Sequence, residues 1–254
     1  MKINIFSYNI HGLPFLPDKW SEPLADWFHK TDYDFVCLQE VFTPGRVDNL
    51  TNGLVKNGYT VFKPNDFAKR KNLLSSGLIT AIHDARWTLL SEGFETYNTC
   101  AGAEHLANKG FHWLLLKHKP TSENFIIINT HLQADNPFNY FAGCMDTRPI
   151  RRNQVEQILK QLNEMPNYRS LIIGDINSND EPHDEMVYFT GEKNGFQKHT
   201  FEDGEDLDHV AFIPALWQNF RVPQVKSVAV LSNLWWSDHW PIHVILDCET
   251  SAKK

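Results

Sequence analysis

Cysteine is scarce and unpatterned in this chain. Cys37, Cys100, Cys144 and Cys248 lie far apart in 254 residues, and no C-x-x-C pair is present, so the thiolate cage of a structural zinc site is not expected. Cys37 falls within an apolar run and reads as a small core residue. Long apolar runs are missing too. None approaches the ~20 residues of a membrane span, and the chain opens directly into a strand-like segment, without the leader of a secretory signal. The expectation is a soluble protein, either cytoplasmic or secreted with a leader removed. An excess of positive charge is also absent: 24 basic against 31 acidic residues leave a net charge of −7. That weighs against a general nucleic-acid binder, because phosphate contacts need a basic face, although a local basic groove is compatible with it. Repeats, low-complexity stretches and linkers are lacking. One domain over residues 1–248 is expected, with 249–254 a frayed tail.

What the chain has is a series of short apolar runs. Strands are predicted over 3–9, 35–39, 59–62, 77–82, 111–116, 125–130, 170–173, 208–213, 225–230 and 242–246. Several are apolar throughout, as in strands covered on both faces. Helices are predicted between some of them. Ser21 is placed to cap 22–30, with Pro23 in its first turn. Pro44 opens a helix toward Val55, and Pro149 opens one to about Met165 with Val155, Ile158, Leu159 and Leu162 on one face. Strands outnumber helices, and helices separate only some of them. The fold class expected is therefore a mixed α/β (α+β) sandwich and not a doubly wound parallel sheet.

Polar clusters sit at the ends of these runs: Ser7-Tyr8-Asn9, Leu38-Gln39-Glu40, Asn129-Thr130-His131, Gly174-Asp175-Ile176-Asn177, Leu207-Asp208-His209 and Ser237-Asp238-His239. Each alone has a plain reading. Asn9 would be a turn residue, Glu40 an arginine partner, His131 a buried bonded histidine, Asp175 and Asn177 a turn, Asp208 a strand-end ion pair. Jointly they suggest one polar centre. Asn9, Glu40, Asp175 and Asp238 are hard oxygen donors, which suit Mg²⁺ or Mn²⁺. His131 and His239 can move protons near neutral pH, and Asp208 can orient His239 through its second ring nitrogen. Asp175 and Asn177 point to one side if the chain stays extended, and Gly174 would let the backbone approach a ligand. His11, His105, His112 and His209 read as structural. A metal, two histidines and several amides suit hydrolysis of a phosphate ester.

In this order the clusters Tyr8-Asn9, Leu38-Gln39-Glu40-Val41, Gly77-Leu78, Thr130-His131-Leu132, Gly174-Asp175-Ile176-Asn177, Leu207-Asp208 and Ser237-Asp238-His239-Trp240-Pro241 resemble the endonuclease/exonuclease/phosphatase superfamily of DNase I-like metal-dependent phosphoesterases. The resemblance implies a four-layer sandwich: two packed β-sheets flanked by helices, with the site at one end. It implies Glu40 as principal Mg²⁺ ligand, with Asn9 and Asp238 at the metal site. It implies His131 on the scissile phosphate, Asp175 and Asn177 positioning phosphate and water, and His239 as general base oriented by Asp208. A narrower resemblance, to the sphingomyelinase branch, rests on Asn108-Lys109-Gly110-Phe111, Thr130-His131-Leu132-Gln133-Ala134 and Arg151-Arg152-Asn153-Gln154. It implies a phospholipid substrate, with sphingomyelin cleaved to ceramide and phosphocholine, and Lys109 as a substrate contact. The plain reading of Lys109-Gly110 is a tight turn.

Aromatic residues in the loops agree with a lipid. Trp235, Trp236 and Tyr140 are candidate contacts for a choline headgroup. Together with Phe15, Leu16, Trp20, Phe138 and Phe141 they are also candidates for transient membrane-surface contact; otherwise they cover the core or stack on bases. The apolar hairpin of secreted bacterial members cannot be identified. The alternatives are a nuclease of the same fold, with Lys69, Arg70 and Lys71 as its basic groove, an inositol-phosphate phosphatase, and a catalytically decayed binding module. Oligomeric state is not legible.

Overall fold

Along each central strand the side chains alternate between two apolar environments, as a period of two requires of a strand buried on both faces. In β1 (Lys2–Asn9) Ile3 and Ile5 point to one core and Phe6 and Tyr8 to another. In β2 (Phe35–Gln39) Phe35 and Cys37 face the first core and Val36 and Leu38 the second. In β7 (Asn124–His131) and β8 (Arg169–Asp175), Phe125, Ile127, Leu171 and Ile173 share that first core from the other side. The computed structural model describes residues 1–64, 72–135, 143, 146–166, 168–234 and 236–248.

The first core lies between two mixed sheets. One joins β1 and β2 to β3 (Tyr59–Phe62), β4 (Ile79–His83), β11 (Gln224–Val230) and β12 (Ile242–Asp247), in the order β11-β12-β1-β2-β4-β3. The other joins β7 and β8 to β5 (Trp87–Thr96), β6 (Gly110–His118), β9 (Val187–Tyr188) and β10 (Asp208–Phe212), in the order β5-β6-β7-β8-β10-β9. The pairs β1–β2 and β7–β8 are parallel and the other described pairs antiparallel. Helices α1 (Ser21–Phe28) and α2 (Pro44–Lys56) cover the outer face of the first sheet through Leu24, Phe28, Leu50 and Leu54. Helix α3 (Arg148–Glu164) covers the second sheet through Val155, Ile158, Leu159 and Leu162. The result is the expected four-layer sandwich.

All ten predicted runs fall on strands. Two strands carried no readable signal. β5 is an edge strand with mostly exposed residues and a bulge between Leu89 and Ser91, so neither an apolar run nor clean alternation marks it. β9 has only two residues. The predicted cap of the first helix is corrected. Ser21 is itself the first helical residue, and the side chain that closes this end is Asp18, which accepts from the backbone N–H groups of Trp20 and Ser21 and from the Ser21 hydroxyl. No described helix is long and apolar enough to cross a membrane.

Candidate active site

The strands that run in register through the core all deliver a polar residue at the same end. Asn9 and Asp175 close β1 and β8, His131 closes β7, and Asp208 opens β10 directly opposite Asp175. Glu40 follows β2, and Asp238 and His239 precede β12. The two sheets thus contribute facing walls of a cleft of about 300 Å³ whose lining includes Asn9, Glu40, His131, Asp175, Asp238 and His239. The structure therefore brings together the metal and catalytic candidates read from the sequence.

The backbone bends sharply here. Among the described residues four non-glycines have left-handed φ, and three are His11 (46°), Glu40 (58°) and Asn177 (54°). Such residues concentrate where surrounding structure over-determines them, often at functional sites. The left-handed φ at Asn177 gives the turn of the plain reading and not the extended geometry under which i, i+2 spacing would put both side chains on one side: the Asn177 N–H folds back onto Asp175 Oδ1 at 2.9 Å, while its side-chain amide donates to the Leu132 carbonyl at 3.1 Å. Gly174 is also corrected. Its φ is 141° and a Cβ there would lie 2.0 Å from the Thr130 carbonyl oxygen, so glycine permits a close approach to the neighbouring strand and not to a ligand.

One wall is built on His239. Its Nδ1 is 2.7 Å from Asp208 Oδ2, and Asp208 is fully buried, which leaves Nε2 facing the cleft 3.7 Å from Asp175 Oδ2. The Phe201 ring packs against the imidazole at 4.8 Å. Burial alone would lower the His239 pKa, but the carboxylates of Asp208, Asp175 and Asp238 overcome it and push it up to about 10. Burial, with Asp208 adding, raises Asp175 to about 7 against the opposing pull of His239 and Asn9.

The opposite wall is built on His131. Its Nε2 lies 3.0 Å from Lys109 Nζ, 3.4 Å from Asp175 Oδ2 and 4.0 Å from Glu40 Oε1. Lys109 is held in turn by the Leu132 carbonyl at 2.8 Å and by the Glu104 carboxylate. With Lys109 donating into Nε2, the ring proton of a neutral His131 falls on Nδ1, which is buried without an acceptor among the described residues. Burial, then Lys109 and His239, holds the His131 pKa well below the ordinary value. Lys109 is thus a partner of His131 beneath the cleft and not a turn residue.

Asn9 lies between the walls. Its Nδ2 donates to Glu40 Oε1 at 3.0 Å and to Asp175 Oδ2 at 2.8 Å, while its Oδ1 accepts the His11 N–H at 3.0 Å. It therefore ties two acids together through its Nδ2, while its oxygen already accepts one backbone hydrogen bond. Burial raises the Glu40 pKa against that hydrogen bond and the charges of His11, Lys109 and His239. Two groupings are cation candidates. Asp175, Asp208 and His239 each offer one atom, mutually within 4.8 Å, but the His239 Nδ1 is engaged by Asp208. Glu40 is 17% exposed, faces the cleft and stands beside Asp175 through Asn9. These crowded hard oxygens, with Asp175 raised by burial and by the nearby Asp208 charge, fit a divalent cation of the Mg²⁺ type better at Glu40.

Sequence reading missed His11. Its Nδ1 is 2.8 Å from Asp238 Oδ2; that hydrogen bond raises the His11 pKa. For Asp238, burial raises the pKa, but the His11 bond and the charge of His239 hold it below the usual value. No local signal marks this pair, which the fold joins across more than two hundred residues. Trp236 lines a separate, mostly apolar notch with His11, Leu16 and Trp20 that meets the cleft at Asp238. His112 and His209 are buried and hydrogen-bonded, as read. Trp235, Tyr140, Phe138, Phe141, the Lys69–Arg70–Lys71 run and the tail 249–254 lie outside the described residues.

The pattern of the Endonuclease/Exonuclease/phosphatase family matches residues 6–239. Sphingomyelinase C of Bacillus cereus is 27% identical over 198 residues, which cover 70% of this chain and 57% of that protein; the match thus spans little more than half of the relative's length. A substituted beta toxin from Staphylococcus aureus with bound magnesium ions superposes with a TM-score of 0.74 at 17% identity, covering 96% of this chain and 99% of that one. TDP2 of D. rerio complexed with a single-strand DNA product gives 0.72 at 16% identity, covering 97% and 99%. At such identities the structural likenesses speak for the fold alone. The family pattern runs from within the first strand to the histidine of the cleft, and the chain belongs to the Endonuclease/Exonuclease/phosphatase family.

Proposed function

We propose that the chain is a Mg²⁺-dependent phosphodiesterase that hydrolyses a phospholipid headgroup ester, with sphingomyelin, cleaved to ceramide and phosphocholine, as the foremost substrate. Members of its family are hydrolases of phosphate esters. The observation that carries the reading is the buried Asp208–His239 pair aimed across the cleft at Asp175, opposite the Lys109–His131 pair. Asp208 fixes the His239 ring with Nδ1 as donor, so Nε2 is the atom that takes a proton from an attacking water. Lys109 and His131 lie on the side where negative charge on a phosphate oxygen would be met. Asn9 and the Asn177 N–H orient the two acids. When bound at Glu40, Mg²⁺ supplies positive charge for the phosphodiester and relieves the crowding of carboxylates that keeps His239 protonated. Mn²⁺ would suit the same oxygens.

The lipid is favoured by the Sphingomyelinase C relative, by Lys109 at His131, and by the net charge of −7, which disfavours a polyanion. A nuclease is the second reading, favoured by the fold shared with a DNA-bound neighbour. The test measures phosphocholine release from sphingomyelin in mixed micelles, with Mg²⁺ and with EDTA, alongside His239→Ala and plasmid DNA. Mg²⁺-dependent release, lost in the variant and with DNA intact, is expected. Nicked DNA without release would move the chain to the nuclease reading. Silence on both would direct the search to inositol phosphates.

A further inference from the structure

Between the sheets the inward faces are apolar for most of their length and then change one rung before the cleft. Ile3 and Ile5 give way to Ser7, Phe35 and Cys37 to Gln39, Phe125 and Ile127 to Asn129, Ile82 to Thr80, and Leu114 to His112. All five polar residues are at most 1% exposed. With a period of two, the next inward position on β1 and β7 is Asn9 and His131. The rung is therefore the floor on which the cleft stands.

Asn129 crosses this floor from one sheet to the other. Its Nδ2 lies 2.9 Å from the Ile79 carbonyl, 3.2 Å from Thr80 Oγ1 and 3.3 Å from the Leu38 carbonyl, and its Oδ1 accepts from Gln39 Nε2 at 2.9 Å. Two amide protons are shared among three acceptors, so both ends of the side chain are committed. Leu38 and Ile79 are the last paired residues of the β2–β4 ladder, and Glu40 follows two residues after Leu38. His131 follows two residues after Asn129 on its own strand. A single buried amide in the second sheet therefore holds the strand ends from which Glu40 emerges in the first. Thr80 Oγ1 and His112 Nδ1, 3.1 Å apart, form a second crossing beside it.

We propose that Asn129 is a positioning residue: its cross-sheet hydrogen bonds set the spacing of the Glu40 wall against the His131–Asp175 wall, without contact with substrate or cation. The geometry it governs is the 4.0 Å between Glu40 Oε1 and His131 Nε2 and the pair of hydrogen bonds that Asn9 Nδ2 donates to Glu40 and Asp175. A leucine would fill much the same volume with none of the bonds, depriving the Ile79 carbonyl of its Asn129 donor and leaving the Gln39 amide only its longer bond to Ser7 Oγ at 3.3 Å. The role does not depend on which diester is the substrate.

The test compares Asn129→Leu, the double variant Asn129→Leu/Gln39→Leu, and Leu114→Val, a control in the same inter-sheet core. Three quantities are read: kcat and KM on bis(p-nitrophenyl) phosphate, the rise in Tm on adding Mg²⁺, and the ring NMR signals of His131 and His239. Asn129→Leu is expected to lower kcat by about 10- to 100-fold, as misplacement remote from the chemistry can, with KM within about twofold. It should also shrink the Mg²⁺-induced rise in Tm and shift the His131 signals. The double variant removes a stranded partner and should regain Tm but not kcat. Leu114→Val should lose Tm while keeping kcat, the Mg²⁺ response and the histidine signals. Recovery of kcat together with Tm in the double variant would overturn the proposal, as would wild-type kcat and histidine signals in Asn129→Leu. If Asn129→Leu does not fold, Asn129→Ser, which keeps a donor, is read by the same criteria. A wild-type chain with no diesterase activity would sink the phosphodiesterase reading, while the histidine signals would still decide the part played by Asn129.

Discussion

The two walls of the cleft hold their histidines in opposite ways. His239 is backed by a buried carboxylate and surrounded by acids, which push its pKa up to about 10. His131 is backed by a lysine and buried, which hold its pKa well below the ordinary value. Both rings approach the same oxygen of Asp175. A pair of like groups driven apart by their surroundings marks an assignment of roles. In the proposed mechanism the carboxylate-backed ring is the one that takes a proton, and the lysine-backed ring stays neutral while its lysine brings a cation to the side assigned to the phosphate.

Substitutions can break or sharpen this contrast. The largest effect is expected from His239→Ala, which should lower kcat on any accepted diester by about 10³-fold or more, measured under saturating Mg²⁺. A residual rate within tenfold of wild type would remove His239 from the chemistry. Next is Asp208→Asn, which leaves the ring in place but withdraws its negative partner; a loss of about 10²-fold in kcat is expected, and an NMR titration should show the His239 pKa falling. Lys109→Met should cost about tenfold and move the His131 pKa upward, toward its ordinary value, which the same titration reads. An unchanged His131 pKa would mean that burial alone sets it.

A smaller effect concerns stability without divalent ions. Asp175 is raised from 3.8 to about 7 and His239 from 6.5 to about 10. Both groups bind protons more tightly in the folded chain, so the stability they contribute is present at low pH and is lost as pH rises through those folded values. In EDTA the Tm of the wild-type chain should therefore fall between about pH 7 and 10 more steeply than that of His239→Gln; parallel profiles would contradict the assignment. The smallest effect is expected from Trp236→Ala. Its notch adjoins the cleft only at Asp238, so turnover of a water-soluble diester should change less than about twofold, while turnover of micellar sphingomyelin should drop several-fold.

Much of this arrangement was legible in the chain because the inter-sheet core writes itself as apolar runs. Ile3 to Tyr8, Phe35 to Leu38 and Leu171 to Ile173 each announce a strand, and each is followed within two residues by one that reaches the cleft: Asn9, Glu40 and Asp175. The strand β5 was not legible because only its start, at Trp87 and Leu89, reaches the core, and the bulge before Ser91 breaks the alternation of the exposed remainder. His11 was not, because its meaning comes from Asp238, which only the closed sandwich brings near. At Asn177 the chain offered both a turn and an extended segment, and i, i+2 spacing could not choose between them because it assigns a common face only while the backbone stays extended, which here it does not.

The cleft is a joint between two sheets, with Glu40 and Asn9 on one and His131, Asp175 and Asp208 on the other. A joint of this kind fails before its parts do. A slight parting of the sheets at that end would draw Glu40 away from His131 and His239 away from Asp208 while every strand kept its ladder, so on heating, catalytic output should fade ahead of any loss of circular-dichroism signal. Activity would then serve as an early gauge of how firmly the two halves of the sandwich are closed.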